Sequence, residues 1–241
     1  FYVVMLSMLE FYKLIKRIQI TPMRIYGIGI GLLFYTISFA YYLHKNFSPM
    51  IWYSYVPLLI LIYIAALYRQ HSSNPFLDIA ATLLGVLYIA IPFSMLHYLA
   101  FFTGKYAYRL TLGLLLITWA QDIGAYLVGS TIGKRSLFER ISPRKTWEGF
   151  LGGALAAIIT GYVVATYCSV IPLWQWLSIV CIVIIVGTYG DLVASLLKRS
   201  VDVKNSSNII PGHGGFLDRV DSLLLTIPAV VAFLHLCGLF G

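Results

Sequence analysis

Apolar residues run through this chain in long unbroken stretches, not in the alternation of a half-buried strand. A helix needs about 20 mainly apolar residues to cross a hydrocarbon core about 30 Å thick. Seven stretches meet that length, at 25–43, 50–68, 76–98, 110–128, 150–170, 173–192 and 222–240. An eighth, at 1–12, is too short as it stands and reads as a truncated span or an interfacial helix. Barrel strands are not expected, because their inside-outside alternation is missing from every run. The pattern therefore predicts an all-α fold: a polytopic transmembrane helix bundle of seven full spans plus the partial or interfacial N-terminal helix. Residues 1–241 are expected to form a single integral membrane domain, with N-terminal spans over 1–109 and the long polar loops within 110–241.

Composition agrees with the pattern. The chain is 60% hydrophobic and only 11% charged, where soluble domains carry roughly a quarter charged residues. The formal net charge of +8 suits anionic lipid and phosphates better than nucleic acid, since so few polar residues are available to carry it. Fourteen of the 17 Lys and Arg fall in connections on one side of the predicted spans; only Lys45, Lys105 and Arg109 fall on the other. The richer side is expected to be cytoplasmic, and both long connections, 129–149 and 193–221, lie there. The spacing of Cys168, Cys181 and Cys237 fits neither a zinc site nor a disulfide framework, so all three are expected to be small buried residues. The chain opens on Phe1, not Met, which leaves open whether residues precede it. No cleavable signal peptide is expected, because the opening apolar stretch carries Glu10 and its basic cluster follows it.

The acidic residues are where the chemistry gathers. Asp122 lies inside the fourth apolar run, Asp191 near the end of the sixth, and Asp218 and Asp221 at the start of the seventh. A carboxylate inside a bilayer costs about 2.5–3.5 kcal/mol on insertion scales and marks a functional site by default. Asp218 and Asp221 are three apart, so on one helix they would share a face and repel unless a cation lay between them. Helix capping alone would account for either of them singly. The glycines of "PGHGG" offer backbone N–H groups for phosphate, and carboxylates beside phosphate suggest magnesium, which favours oxygen ligands. His213 in that loop is either a polar turn residue or a group that contacts phosphate or shuttles a proton. The other loop, "GKRSLFERISPRKTWEGFLGG", supplies Ser142, Lys145 and Thr146 as phosphate donors and enters a span at Glu148. Positive-inside topology explains Lys134 and Arg135 without a ligand. Gly149, Gly152, Gly153 and Gly161 are expected to allow close helix packing, and Asp78 to reach the interface by snorkelling.

The stretch "SLLKRSVDVKNSSNIIPGHGGFLDRVDS", residues 195–222, closely resembles the signature of the phosphatidate cytidylyltransferases, also called CDP-diacylglycerol synthases. Ser195, Lys198 and Arg199 meet its opening Ser-x-x-Lys-Arg; His213, Gly214, Gly215, Asp218, Arg219 and Asp221 meet its closing His-Gly-Gly-x-x-Asp-Arg-x-Asp. "DIGAYLVGSTIGK" and "ISPRKTWEGFLGG" resemble the family's second conserved region, so the likeness covers about residues 119–222. Two positions depart from the pattern. Asn205 stands where the family usually has Asp, and Ala194 where it commonly has an acidic residue. Asn205 cannot take a proton as a base at neutral pH, and no role is assigned to it.

The resemblance implies transfer of the cytidylyl group of CTP to phosphatidate, giving CDP-diacylglycerol and pyrophosphate for phospholipid biosynthesis. Its partners would be CTP and membrane phosphatidate, with magnesium as cofactor at two cations per site, and the site is compatible with a monovalent cation as well. The expected location is a bacterial-type inner membrane, with the active site facing the cytoplasm. Asp191, Asp218 and Asp221 are expected to bind metal. Lys198, Arg199, Lys204 and Arg219 would hold phosphates, with His213, Gly214 and Gly215 in the cradling loop. Ser142, Lys145, Thr146 and Glu148 would complete the nucleotide site, and Asp122 would buttress it. Faces of small residues are compatible with a homodimer. Two rivals share parts of this chemistry: a CTP-dependent lipid kinase acting on a polyprenol, and an ion-coupled transporter with Asp122 and Asp191 lining its path.

Overall fold

The computed structural model describes residues 1–44, 48–69, 74–207 and 214–237. Among them, six helices are long and apolar enough to cross a membrane. In chain order the helices are α1 (Tyr2–Ile15), α2 (Arg24–Leu43), α3 (Tyr55–Leu67), α4 (Pro75–Ala100), α5 (Tyr108–Ile132), α6 (Trp147–Tyr167), α7 (Leu173–Ser200) and α8 (Asp221–Leu236). A 3₁₀ segment, Pro49–Ser54, extends α3 to spanning length. The all-α membrane fold read from the pattern is the fold observed. The seventh expected span is a 16-residue apolar helix in its described part, and α1, at 14 residues, reaches about 21 Å, too short to cross. The long helices turn apolar side chains such as Ile25, Leu67, Leu155 and Tyr167 outward, as a lipid-facing surface requires.

The chain forms two compact units, Phe1–Tyr98 with Ser200–Val220, and Leu99–Arg199 with Asp221–Gly241. In the first, α1 buries eight of its residues. Tyr12 is fully buried and donates its hydroxyl to the Thr82 carbonyl at 2.8 Å. A side chain at Gly27 or Gly85 would run into its ring, so those glycines let α2 and α4 close on α1. Asp78 does not snorkel. It is buried, accepts from the Thr21 amide at 2.7 Å and hydroxyl at 2.8 Å, and pairs with Arg69 at 3.2 Å. The expectation fails because three donors reach the carboxylate inside the fold, so it has no need of water.

In the second unit, α5 and α6 pack through their glycines. A Cβ at Gly153 would lie 2.7 Å from the Gln121 carbonyl oxygen, and one at Gly149 2.8 Å from that of Ala125. The close packing expected of this glycine stripe is therefore present. Between the two helices the basic loop folds into a hairpin not foreseen from the sequence, β1 (Ser136–Phe138) against β2 (Ser142–Thr146), antiparallel. A π-turn, Val183–Gly187, interrupts α7. Gln121 on α5 donates to the Ile184 carbonyl at 3.2 Å and to the Thr188 hydroxyl at 3.0 Å, engaging the backbone where the regular ladder breaks. The three cysteines are free, but none is fully buried and Cys181 is exposed. Apolar side chains facing lipid need no burial, which explains that miss.

Candidate active site

The end of β2 and the start of α6 are built by local rules. Thr146 caps α6, its hydroxyl accepting from the Gly149 amide at 3.1 Å; a capping hydroxyl satisfies one of the four orphan N–H groups of a helix start. Glu148 sits in the first turn, and its Oε2 accepts from the Lys134 and Arg135 amides at 3.1 and 3.2 Å. Thr146 and Glu148 thus hold the hairpin to the helix. The strand they fix carries Ser142 near its pairing with Phe138 and Lys145, whose ammonium pairs with the Asp191 carboxylate of α7.

Around that pair the second unit gathers its charge. Asp122 on α5 lies within electrostatic reach of Asp191 and Lys145 and near Ser222. Asp221, which opens α8, is within reach of Asp191, Lys145 and Lys198. The Lys198 ammonium stands 3.8 Å from Asp221 Oδ2, and both side chains are about one-tenth exposed. Arg199 donates Nε to the Ile141 carbonyl at 3.3 Å, tying the end of α7 to the hairpin. A Cβ at Gly190 would lie 3.0 Å from the Asp221 carbonyl oxygen, so the glycine lets α7 and α8 approach beside the acids. Three carboxylates and two ammonium groups thus come from four elements.

The rest of the glycine loop belongs to the first unit. Asp218 lies in a 3₁₀ turn, Leu217–Arg219. Its Oδ2 accepts from the Ser206 amide at 2.9 Å, the Ser206 hydroxyl at 3.0 Å and the Gly215 amide at 3.1 Å. Val220 then breaks the turn (φ −125°, ψ 1°), and α8 starts afresh at Asp221. The one-helix geometry expected from the three-residue spacing is therefore not what holds the two aspartates. Gly214 has φ +83°, and a Cβ there would lie 3.2 Å from Asp218 Oδ2; only glycine enters that backbone region without strain. Lys204 and Arg219 are exposed. His213 lies outside the described residues.

The model of the cytidylyltransferase family matches residues 1–237. The chain belongs to that family. Among its relatives, the phosphatidate cytidylyltransferase of Staphylococcus saprophyticus is 38% identical over 174 residues, covering 71% of this chain and 65% of the relative. That of Bacillus subtilis is 45% identical over 122 residues, covering 50% of this chain and 45% of the relative. The chain thus spans just under two thirds and just under half of these two relatives.

For a cytidylyltransferase-family protein the fit to a metal turns on the carboxylates. Among the described residues, no group of three or more His, Cys, Asp or Glu side chains stands ready to hold an ion. The donor chemistry still suits a hard cation: Asp122, Asp191 and Asp221 present carboxylate oxygens from three helices of one unit, and magnesium prefers such oxygens with water and phosphate completing its shell. The Lys145 and Lys198 ammonium groups face two of these acids.

One participant escaped the sequence reading. Glu10, which by sequence argues only against a signal peptide, is fully buried and accepts hydrogen bonds from the signature loop. The signal was there: an acid in an apolar helix is a site hypothesis by default, as applied to Asp122.

Proposed function

We propose that this chain transfers the cytidylyl group of CTP to phosphatidate, forming CDP-diacylglycerol and releasing pyrophosphate. The observation that carries the reading is the pairing of Lys145 with Asp191 and of Lys198 with Asp221 in one unit, beside Asp122. Both of the chain's family-like regions contribute to it. A membrane enzyme that joins two polyanions needs cationic side chains and acidic cation ligands close to one another.

In this reading a phosphatidate phosphate oxygen forms a bond to the α-phosphorus of CTP, and the α–β anhydride bond breaks, its electrons leaving with pyrophosphate. The nucleophile is already anionic at neutral pH, so no strong general base is required and Asn205 is no obstacle. Magnesium, when bound, neutralises phosphate charge and orients the attacking and leaving oxygens. Its protein ligands would come from among Asp122, Asp191 and Asp221, with water and substrate phosphate oxygens completing the shell. Lys145 would bind the nucleotide phosphates, with the Ser142 hydroxyl beside it on β2. Lys198 would bind phosphate at the α8 start. Thr146 and Glu148 act by fixing the hairpin, and Arg199 by anchoring it through Ile141. Asp218 shapes the glycine loop that presents Gly214, Gly215 and Arg219, and Lys204 adds exposed positive charge. The excess of Lys and Arg on one side of the spans supports a cytoplasmic site.

The test is incorporation of CTP labelled at the α-phosphorus into phosphatidate in detergent. Label appearing in lipid with release of pyrophosphate is the expected result. Transfer of the γ-phosphate alone would make the protein a lipid kinase, and no turnover without sealed compartments would point to transport; either result sinks the proposal.

A further inference from the structure

The carboxylate of Glu10 is fully buried and has four donors around it. Oε1 accepts from the Ser207 hydroxyl at 2.6 Å and the Phe216 amide at 3.0 Å. Oε2 accepts from the Ser206 hydroxyl at 2.8 Å and the Leu217 amide at 2.9 Å. Each oxygen thus takes one hydroxyl and one backbone N–H, from residues 196 to 207 positions away in sequence. The Ser206 hydroxyl also reaches Asp218 Oδ2 at 3.0 Å. With a single proton, it donates to one of the two carboxylates at a time. Gly215 is packed so tightly here that any Cβ would strike the Ser206 hydroxyl and the Glu10 carboxylate.

We propose that Glu10 is a positioning residue for the reaction: from helix α1 it fixes the loop carrying Gly214, Gly215, Asp218 and Arg219 in its working geometry. The kinetic part rests on the cytidylyltransfer reading above. A purely space-filling role is distinguishable because glutamine has almost the same shape. A glutamine amide has one oxygen and one NH2. Hydroxyls can turn to accept from the NH2, but a backbone N–H cannot. Whichever way the amide is flipped, either the Phe216 or the Leu217 N–H would face a donor and lose its partner.

The experiment compares wild type with Glu10→Gln by hydrogen exchange of the peptide covering residues 214–217 and by steady-state kinetics per folded molecule. Faster exchange in that peptide is expected, together with a kcat lowered by about tenfold or more, because small displacements of positioning groups cost rate steeply. KM for CTP should stay within about threefold, since Lys145 in the other unit is untouched. Unchanged exchange, or an unchanged kcat, overturns the proposal. Should Glu10→Gln not fold, Ser207→Ala removes one donor and leaves the carboxylate; it should raise exchange at 214–217 to a smaller extent, and no change there would equally overturn it. If wild type transfers no cytidylyl group, the functional reading falls alone, and the exchange measurement still decides whether Glu10 holds the loop.

Discussion

Lys145 and Lys198 stand in similar relations to acids but in different surroundings. The Lys145 side chain is 27% exposed and its partner Asp191 32%, against 11% and 10% for Lys198 and Asp221. An exposed ammonium can leave its carboxylate for an incoming phosphate at little cost, because surface pairs contribute at most about 1 kcal/mol. Lys145→Ala is therefore expected to act on nucleotide binding, raising KM for CTP on the order of tenfold, a loss of about 1.4 kcal/mol; an unchanged KM would remove it from the site. The buried pair behaves differently: Asp221 keeps the Ser222 amide at 2.9 Å, but breaking a buried ion pair costs up to about 3–5 kcal/mol. Lys198→Ala should lower the thermal midpoint as well as activity, and a variant as stable as wild type would show that Asp221 has other support.

At the scale of elements, the spans and the stripe of glycines were legible in the sequence because lipid enforces a simple rule on composition and helix contacts leave no room for a Cβ. Gly153→Ala would place a methyl 2.7 Å from a carbonyl oxygen of α5. Overpacking of this kind costs about 1–3 kcal/mol, so the midpoint of unfolding in detergent should fall, and no fall would mean that α5 and α6 can separate freely. The hairpin was not legible, because "SLFERISPRKT" has too few apolar residues to show a period. Its strands are fixed by backbone pairing and by Glu148 reaching the Lys134 and Arg135 amides. Likewise the break at Val220 defeats any argument from three-residue spacing. Asp78 was misread because its partners, Thr21 and Arg69, are 57 and 9 residues away, beyond the reach of local pattern.

At the scale of the whole molecule, the residues that matched the family signature are shared between two units: Lys198, Arg199 and Asp221 in one; Gly214, Gly215, Asp218 and Arg219 in the other. Sequence identifies such residues by type and order, but it does not tell which of them meet. If the second unit's acids take a divalent cation as proposed, chelating magnesium should abolish cytidylyl transfer while leaving the helical content unchanged, and restoring it should recover the rate. Full activity in the presence of chelator would remove the metal from the reading.

Glu10 and its donors also bear on how the chain is made. A ribosome adding about 5–20 residues each second needs roughly 10–40 s to travel from Glu10 to Ser206 and Leu217. Throughout that interval the newborn helix carries an acid without its eventual partners, and desolvating it alone would be costly. The nascent protein must therefore keep α1 near water, or lend it temporary donors, until residues 206–217 emerge. The bonds between Glu10 and that loop should accordingly form later than the packing of α1 on α2 and α4.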